Sequence, residues 1–213
     1  MTIRCKISLA KAAALAVIAA SGCNVLPLPS VNSGVPVAVT CPSGAEAGVF
    51  GEDVSARDSW VVSQASRALG RVGITKVWCG TTHDTIRVIW VRSTLPMVVV
   101  SFQRSSSGTA EMVEFQDPRS LPPLAVPGIA TRRAAPVLSP ELDSVASAIE
   151  AAGFWSADVA RQTRPEGGDG WILEVRKGQK YKAVVRQSIR DEQLDPIVNR
   201  LFDLVHREGP RMR

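Results

Sequence analysis

The sequence WILEVRKGQKYKAVVR, at residues 171–186, is the stretch that most clearly indicates the fold of this chain. It holds two runs in which apolar and polar side chains alternate, separated by Lys177-Gly178-Gln179. A period of two is typical of strands, and a short connection with glycine is typical of a β-hairpin. The alternation places Trp171, Leu173 and Val175 on one face of the first strand, and Tyr181, Ala183 and Val185 on one face of the second.

Further runs with this period precede the hairpin. Residues 85–93 are apolar at alternate positions on both faces, which is typical of a central strand. Short polar connections lead on to residues 97–104 and 109–115, and strands joined so closely form an antiparallel meander. Residues 74–79 predict one more strand.

Three segments predict helices because their apolar residues recur every three or four positions. They are residues 57–70, residues 139–152, which begin with Ser139-Pro140 and end before a glycine, and residues 191–206. The proline-rich residues 117–138 predict a long surface loop. We therefore expect a single α+β domain at residues 54–208, with a mainly antiparallel sheet of about five to six strands and about three packed helices.

The amino-terminal residues predict export. Three basic residues precede the apolar run AAALAVIAA at residues 12–20, which is shorter than the ~20 residues that span a bilayer. The next residues end in Cys23, and Ala20-Ser21-Gly22-Cys23 resembles the lipobox of bacterial lipoproteins. The resemblance implies a lipoprotein signal peptide at residues 1–22 and lipid, such as palmitate, on Cys23. The alternatives are plain secretion after cleavage elsewhere and a retained membrane helix.

The segment that follows the lipobox predicts how the domain is held. Residues 23–53 are rich in proline, glycine and serine, which is typical of a flexible tether to the membrane. Asn24 stands where an inner-membrane retention signal would have aspartate, so we expect an outer-membrane lipoprotein that faces the periplasm.

Charge and cysteine content limit the partners. The formal charge falls from +5 to +2 when the signal peptide leaves with its three basic residues, and the chain has no long basic run, so we expect no nucleic-acid partner. Cys41 and Cys79 remain in an oxidising compartment, which predicts a disulfide between them. The alternative is two separate thiols.

The sequence predicts no catalytic, cofactor or metal site. The two histidines, His83 in a turn and His206 near the end of the last helix, are far apart, and neither a zinc spacing nor a GxSxG motif is present. We expect Asp169 to lie in a solvated turn and Glu174 on a solvated strand face, with Arg186 across the hairpin as a surface partner of Glu174.

Residues 87–205 resemble a family of uncharacterised bacterial proteins common in the lysobacter and xanthomonas groups. The matching residues are Gly153-Phe154-Trp155, Asp169-Gly170-Trp171-Ile172-Leu173-Glu174, Gly178, Tyr181, Val184, Arg186 and Ser188. The chain departs from the family at Lys182, Gln187 and Ile189, where the family has His, Trp and Pro, and in the spacing before the hairpin. The resemblance implies strands, a helix that ends in Gly-Phe-Trp and a hairpin, but no activity.

These patterns favour a non-catalytic, membrane-anchored periplasmic lipoprotein that contacts or inhibits an unknown envelope protein. Trp155, Trp171 and Tyr181 are the candidate interaction surface, although aromatic residues in a small sheet are more often part of the core. One alternative is an envelope hydrolase that uses a serine and His83. Another is a lipoprotein that binds a small ligand or lipid in an apolar pocket under the 117–138 loop.

Overall fold

The structure, a computed structural model of the 213-residue chain, describes residues 49–55, 59–74, 76–79, 83–104, 108–122, 125–162 and 168–205. All of them belong to one compact unit, Val35–Arg213. The predicted signal peptide, Cys23 and Cys41 lie outside the described residues. Among the described residues, no helix is both long enough and apolar enough to cross a membrane.

Seven strands of the described part of the chain form one sheet. They are β1 (Asp84–Val91), β2 (Val98–Arg104), β3 (Thr109–Phe115), β4 (Ile129–Pro136), β5 (Ala160–Gln162), β6 (Gly170–Lys177) and β7 (Lys180–Gln187). Their order across the sheet is β4-β3-β2-β1-β6-β7-β5, and every neighbouring pair is antiparallel except β5 and β7. The predicted α+β fold is confirmed, with seven strands instead of five or six.

Helices cover both faces of this sheet. They are α1 (Glu52–Ser55), α2 (Trp60–Val72), α3 (Ser139–Ala151) and α4 (Asp195–Asp203). The apolar residues of α3 and α4 pack with one set of strand side chains, and those of α1 and α2 pack with the other set. We call the α3 and α4 side the first face and the α1 and α2 side the second face. The two cores make a three-layer arrangement.

β1 is the central strand that its pattern predicts. It lies fourth of the seven strands, between β2 and β6. Val88 belongs to the core of the first face, and Ile89 and Val91 belong to the core of the second face. Apolar side chains at consecutive positions are therefore needed, because a strand covered on both sides buries both of its faces.

The prediction of a strand at residues 74–79 is wrong. Residues 77–79 form a turn, and residue 76 is in neither a helix nor a strand. The guanidinium of Arg176 donates from Nη1 to the carbonyl oxygens of Val77, at 3.3 Å, and Trp78, at 2.7 Å. A side chain thus satisfies backbone groups that a strand would have paired in a ladder.

The prediction of a long loop at residues 117–138 is also wrong in part, because this segment contains β4. This strand pairs with β3 over most of its length, although all its side chains but that of Ile129 are exposed. A strand without a buried face shows no alternation of apolar and polar residues, so the period that identifies the other strands is missing here.

The folded domain begins before residue 54, the position at which we predicted its start. Phe50 and Val54 are each 1 % exposed and pack in the core of the second face. Helix α1 has only four residues, which is too short to show a helical period in the sequence.

Two helices start later than predicted. α2 starts at Trp60, after Ser59, whose hydroxyl donates to Gln187 Oε1 at 2.8 Å. α4 starts at Asp195 instead of residue 191, because Asp191 Oδ1 accepts from the amides of Gln193 and Leu194 in a separate turn.

Candidate functional site

The three aromatic residues of the predicted interaction surface do not share a surface. Trp171 is 0 % exposed and belongs to the core of the first face. Tyr181 packs against the second face, where its hydroxyl donates to Glu174 Oε1 at 2.8 Å. The prediction is wrong for these two residues because side chains at positions 171 and 181 point to opposite faces of the hairpin. Trp155 alone is left as a partly exposed candidate on the first face.

Trp155 lies beside an apolar cleft between α3 and the strands of the first face. The cleft has a volume of about 60 Å³. Its apolar lining consists of Ile86, Phe102, Leu142, Ala146, Ile149, Trp155 and Val175. A wider recess of about 600 Å³ is lined by Glu150, Trp155, Lys177, Gln179 and Lys180. Three of these residues line both spaces, so we treat them as one site, the Trp155 cleft.

The end of α3 sets the position of Trp155. Gly153 has a φ of +69°, a conformation that glycine adopts without strain, and it turns the chain out of the helix. Phe154 is then fully buried, and Trp155 meets it edge to face, with 5.4 Å between the ring centroids. One aromatic ring therefore anchors the turn in the core while the next lines the cleft.

Two side chains of β7 hold this turn through hydrogen bonds to its backbone carbonyl oxygens. Lys182 Nζ donates to the carbonyl oxygens of Trp155, at 2.8 Å, and Ala157, at 2.6 Å. Arg186 Nη1 donates to the carbonyl oxygen of Asp158 at 3.1 Å. Burial lowers the pKa of Lys182, and the nearby charge of Arg186 acts in the same direction. Lys182 stands where the predicted family resemblance expects histidine.

Arg186 pairs with Asp191, not with Glu174 as predicted. Arg186 Nε lies 2.6 Å from Asp191 Oδ2, and both side chains are buried. The prediction is wrong because Arg186 points to the first face and Glu174 to the second. Burial alone would raise the pKa of Asp191, but the hydrogen bonds from Arg186 and from two backbone amides outweigh it and lower that pKa.

Glu174 is buried rather than solvated. It is 0 % exposed, and its Oε2 lies 2.5 Å from Arg87 Nε. Burial and then the charge of Glu174 raise the pKa of Tyr181 far above its usual value, so the phenol stays a hydrogen-bond donor. A cavity of about 240 Å³ adjoins Arg87 on the second face, lined mainly by polar residues: Thr85, Arg87, Ser101, Gln103, Glu111 and Arg132.

Two other residues considered in the sequence analysis, His83 and Asp169, take part in hydrogen bonds at the ends of strands. His83 is exposed at the bend before β1, and its carbonyl oxygen accepts from Thr85 Oγ1 at 3.0 Å. Asp169 Oδ1 accepts from the amide and hydroxyl of Ser93, at 3.0 and 3.1 Å. His206 lies outside the described residues. Within the described ranges, no three His, Cys, Asp or Glu side chains come together as metal ligands.

Cys79 is buried and is disulfide-bonded. Its predicted partner, Cys41, lies outside the described residues, so the identity of the pair stays a prediction.

The cleft contains residues that the sequence did not single out. Leu142, Ala146 and Ile149 were predicted only as the inward side of a helix, and Lys177, Gln179 and Lys180 only as parts of a hairpin. Two lysines around a tight turn are an ordinary solvated feature, so the sequence holds no signal that connects them to Trp155.

No protein-family model matches this chain, and no curated protein matches it significantly. The resemblance to the uncharacterised bacterial family therefore stays a prediction.

The Arg186 and Asp191 pair predicts a pH-dependent stability. Because the pKa of folded Asp191 lies below its ordinary value of 3.8, the pair stabilises the fold above that pH, and this contribution is lost as pH falls through the folded pKa. We expect Asp191→Asn to lower the free energy of unfolding at pH 7 by about 1.5–3 kcal/mol. Denaturant unfolding at pH 7 and at pH values below the ordinary pKa measures the difference.

Asp158→Asn is the matched control, because Asp158 is 68 % exposed in its pair with Arg161 and should cost less than about 1 kcal/mol. A cost for Asp191→Asn that is equal at neutral and acidic pH contradicts the assignment.

Proposed function

We propose that this protein is an exported lipoprotein, anchored through Cys23, whose folded domain binds another envelope protein at the Trp155 cleft. The observation that carries the proposal is the cleft itself, an apolar slot with a partly exposed tryptophan at its edge and charged residues around it. Protein interfaces concentrate their binding energy in such slots, and tryptophan is enriched there.

The size of the slot favours a protein partner. Sites for whole small molecules usually have volumes of about 300–1,000 Å³. The apolar slot, at about 60 Å³, has room for part of one side chain. The wider recess beside it has a volume within that range, but every residue that lines it except Trp155 is charged or polar, whereas small-molecule sites are lined mainly by apolar residues. The recess therefore suits the polar surroundings of a partner side chain.

The charged residues around the slot form exposed pairs. Arg104 Nη2 lies 2.7 Å from Asp143 Oδ1, and Lys177 Nζ lies 2.5 Å from Glu150 Oε1, with all four side chains about half exposed. Exposed pairs of this kind contribute little to stability, so a partner can replace them at small cost. They constitute the polar rim around an apolar centre that is typical of interfaces.

Two observations support the remaining parts of the proposal. A disulfide-bonded Cys79 is typical of an exported protein, because thiols stay reduced in the cytosol. An exposed His83 at a bend favours a non-catalytic role over a hydrolase that uses this residue as a base.

Small-ligand binding is the second candidate, and a separate cavity favours it. This cavity of about 160 Å³ lies between α2 and the 117–138 segment. Trp60, Met97, Phe115, Pro118 and Pro127 are among its lining residues. It matches the pocket that the alternative requires, although its volume is below the usual range for ligand sites.

The anchor is tested by Cys23→Ser. We expect the wild-type protein to fractionate with membranes and its mature amino-terminal peptide to begin with an acylated Cys23, by mass spectrometry. The variant should leave the membrane fraction, because serine has no thiol to carry the lipid and the protein then lacks the acyl chains that anchor it firmly. Ser21→Ala serves as the control for changes in the signal region. A serine variant that stays with the membranes contradicts the anchor.

The binding site is tested by filling the slot. Ala146 lines it from α3, so Ala146→Leu occupies the space that a partner side chain would enter. With a photo-crosslinking residue at position 179, we expect one discrete crosslinked species in intact cells and at least a tenfold loss of it in the Ala146→Leu variant.

The control is Ser144→Leu, which adds a similar side chain to the exposed side of the same helix and should leave the crosslink unchanged. Equal crosslinking in both variants, or none in the wild-type background, removes the cleft as the binding site.

A further inference from the structure

We propose that the outer edge of β4 binds an extended, acidic segment of a partner protein, which adds an eighth strand to the sheet. This surface is separate from the Trp155 cleft, and the proposal does not rely on it. β4 has eight residues and lies at one end of the sheet. Among the described residues, β3 is its one strand neighbour.

The register shows which backbone groups of β4 point outward. The amide of Val137 donates to the carbonyl oxygen of Gly108 at 3.2 Å, so this pair is hydrogen-bonded. Hydrogen-bonded and non-bonded pairs alternate along an antiparallel ladder. Arg133 and Ala135 therefore bond to β3, whereas Arg132 and Ala134 turn their N–H and C=O groups toward the outside.

Pro136 agrees with this alternation. It lies opposite Thr109, at a position whose amide would point outward, so the sheet loses no hydrogen bond to the proline. The outward groups available to a new strand are thus those of Arg132 and Ala134, before the proline ends the edge. Main-chain hydrogen bonds of this kind provide the affinity when a peptide adds to a sheet.

The charges on β4 favour a particular sequence in the added strand. Consecutive side chains of a strand point to opposite faces, so Arg132 and Arg133 place one positive charge on each face of the edge. Both side chains are exposed, and Arg132 also lies 3.0 Å from Glu111 Oε1. A partner strand with two consecutive acidic residues presents one carboxylate to each arginine.

A second copy of the chain fits this edge poorly. Antiparallel twofold pairing centred on Arg132 or on Arg133 places that arginine directly opposite itself, and like charges in such pairs are destabilising. Pairing centred on Ala134 brings Arg132 opposite Pro136, which has no amide hydrogen to donate. These three registers disfavour a second copy, and the two arginines favour a segment of different, acidic sequence.

The test uses two synthetic peptides of sequence Thr-Val-Thr-Glu-Glu-Thr-Val-Thr and Thr-Val-Thr-Lys-Lys-Thr-Val-Thr, labelled for fluorescence anisotropy. We expect the glutamate peptide to bind the mature protein at least tenfold more tightly than the lysine peptide. Replacing both arginines, Arg132→Glu with Arg133→Glu, should reverse this preference. Arg67→Glu, at an exposed position of α2, is the matched control and should leave it unchanged.

Ala134→Pro tests the backbone part of the proposal. It removes one outward amide and none that bonds to β3, so we expect it to weaken glutamate-peptide binding at least tenfold. Amide exchange by NMR in the unaltered protein provides a readout that needs no variant: the amides of Arg132 and Ala134 should become protected when the peptide binds, whereas those of Arg133 and Ala135 are protected already.

Equal affinities for the two peptides, undetectable binding at millimolar peptide, or no new protection at Arg132 and Ala134 each overturn the proposal. Sedimentation of the protein alone distinguishes the other occupant. A dimer that Ala134→Pro dissociates would show that a second copy covers this edge.

Discussion

A buried ion pair between Arg87 and Glu174 joins two neighbouring strands in the middle of the sheet. The two residues face each other across β1 and β6, at 1 % and 0 % exposure, with 2.5 Å between Nε and Oε2. A buried charge that loses its counter-charge is strongly destabilising. A slip of one residue between the two strands would point one partner to the other face and separate the charges. The pair therefore fixes the register of two neighbouring strands that contribute apolar side chains to both cores.

The candidate site depends on that register. Ile86 of β1 and Val175 of β6 are opposite each other in the ladder, and both line the Trp155 cleft. Glu174 also accepts from the hydroxyl of Tyr181 on β7, which extends the same network to the strand whose Lys182 holds the Trp155 turn. A polar cluster on the second face thus determines the geometry of an apolar cleft on the first.

The sequence predicts the strands that carry several buried apolar side chains, and it misses the features that depend on the third dimension. β4 was not predicted because an exposed edge strand has no alternation, and Phe50 was not predicted because α1 is only one turn long. Glu174 was placed in solvent because the sequence does not show that helices cover both faces of the sheet. The same missing information grouped Trp155 with Trp171, which lies in the core of the first face, and with Tyr181, which packs against the second face. Residues 1–48 lie outside the described residues, so the lipid anchor rests on sequence pattern alone.

The most direct test is a double-mutant cycle on the central pair, measured as free energies of unfolding in denaturant. Arg87→Met and Glu174→Leu should each cost about 3–5 kcal/mol, because each leaves one charge buried without its counter-charge. If the pair fixes the register, the double variant should cost less than either single change, since two apolar side chains then face each other. Costs that simply add would contradict the account, because they would show that the two charges do not depend on each other.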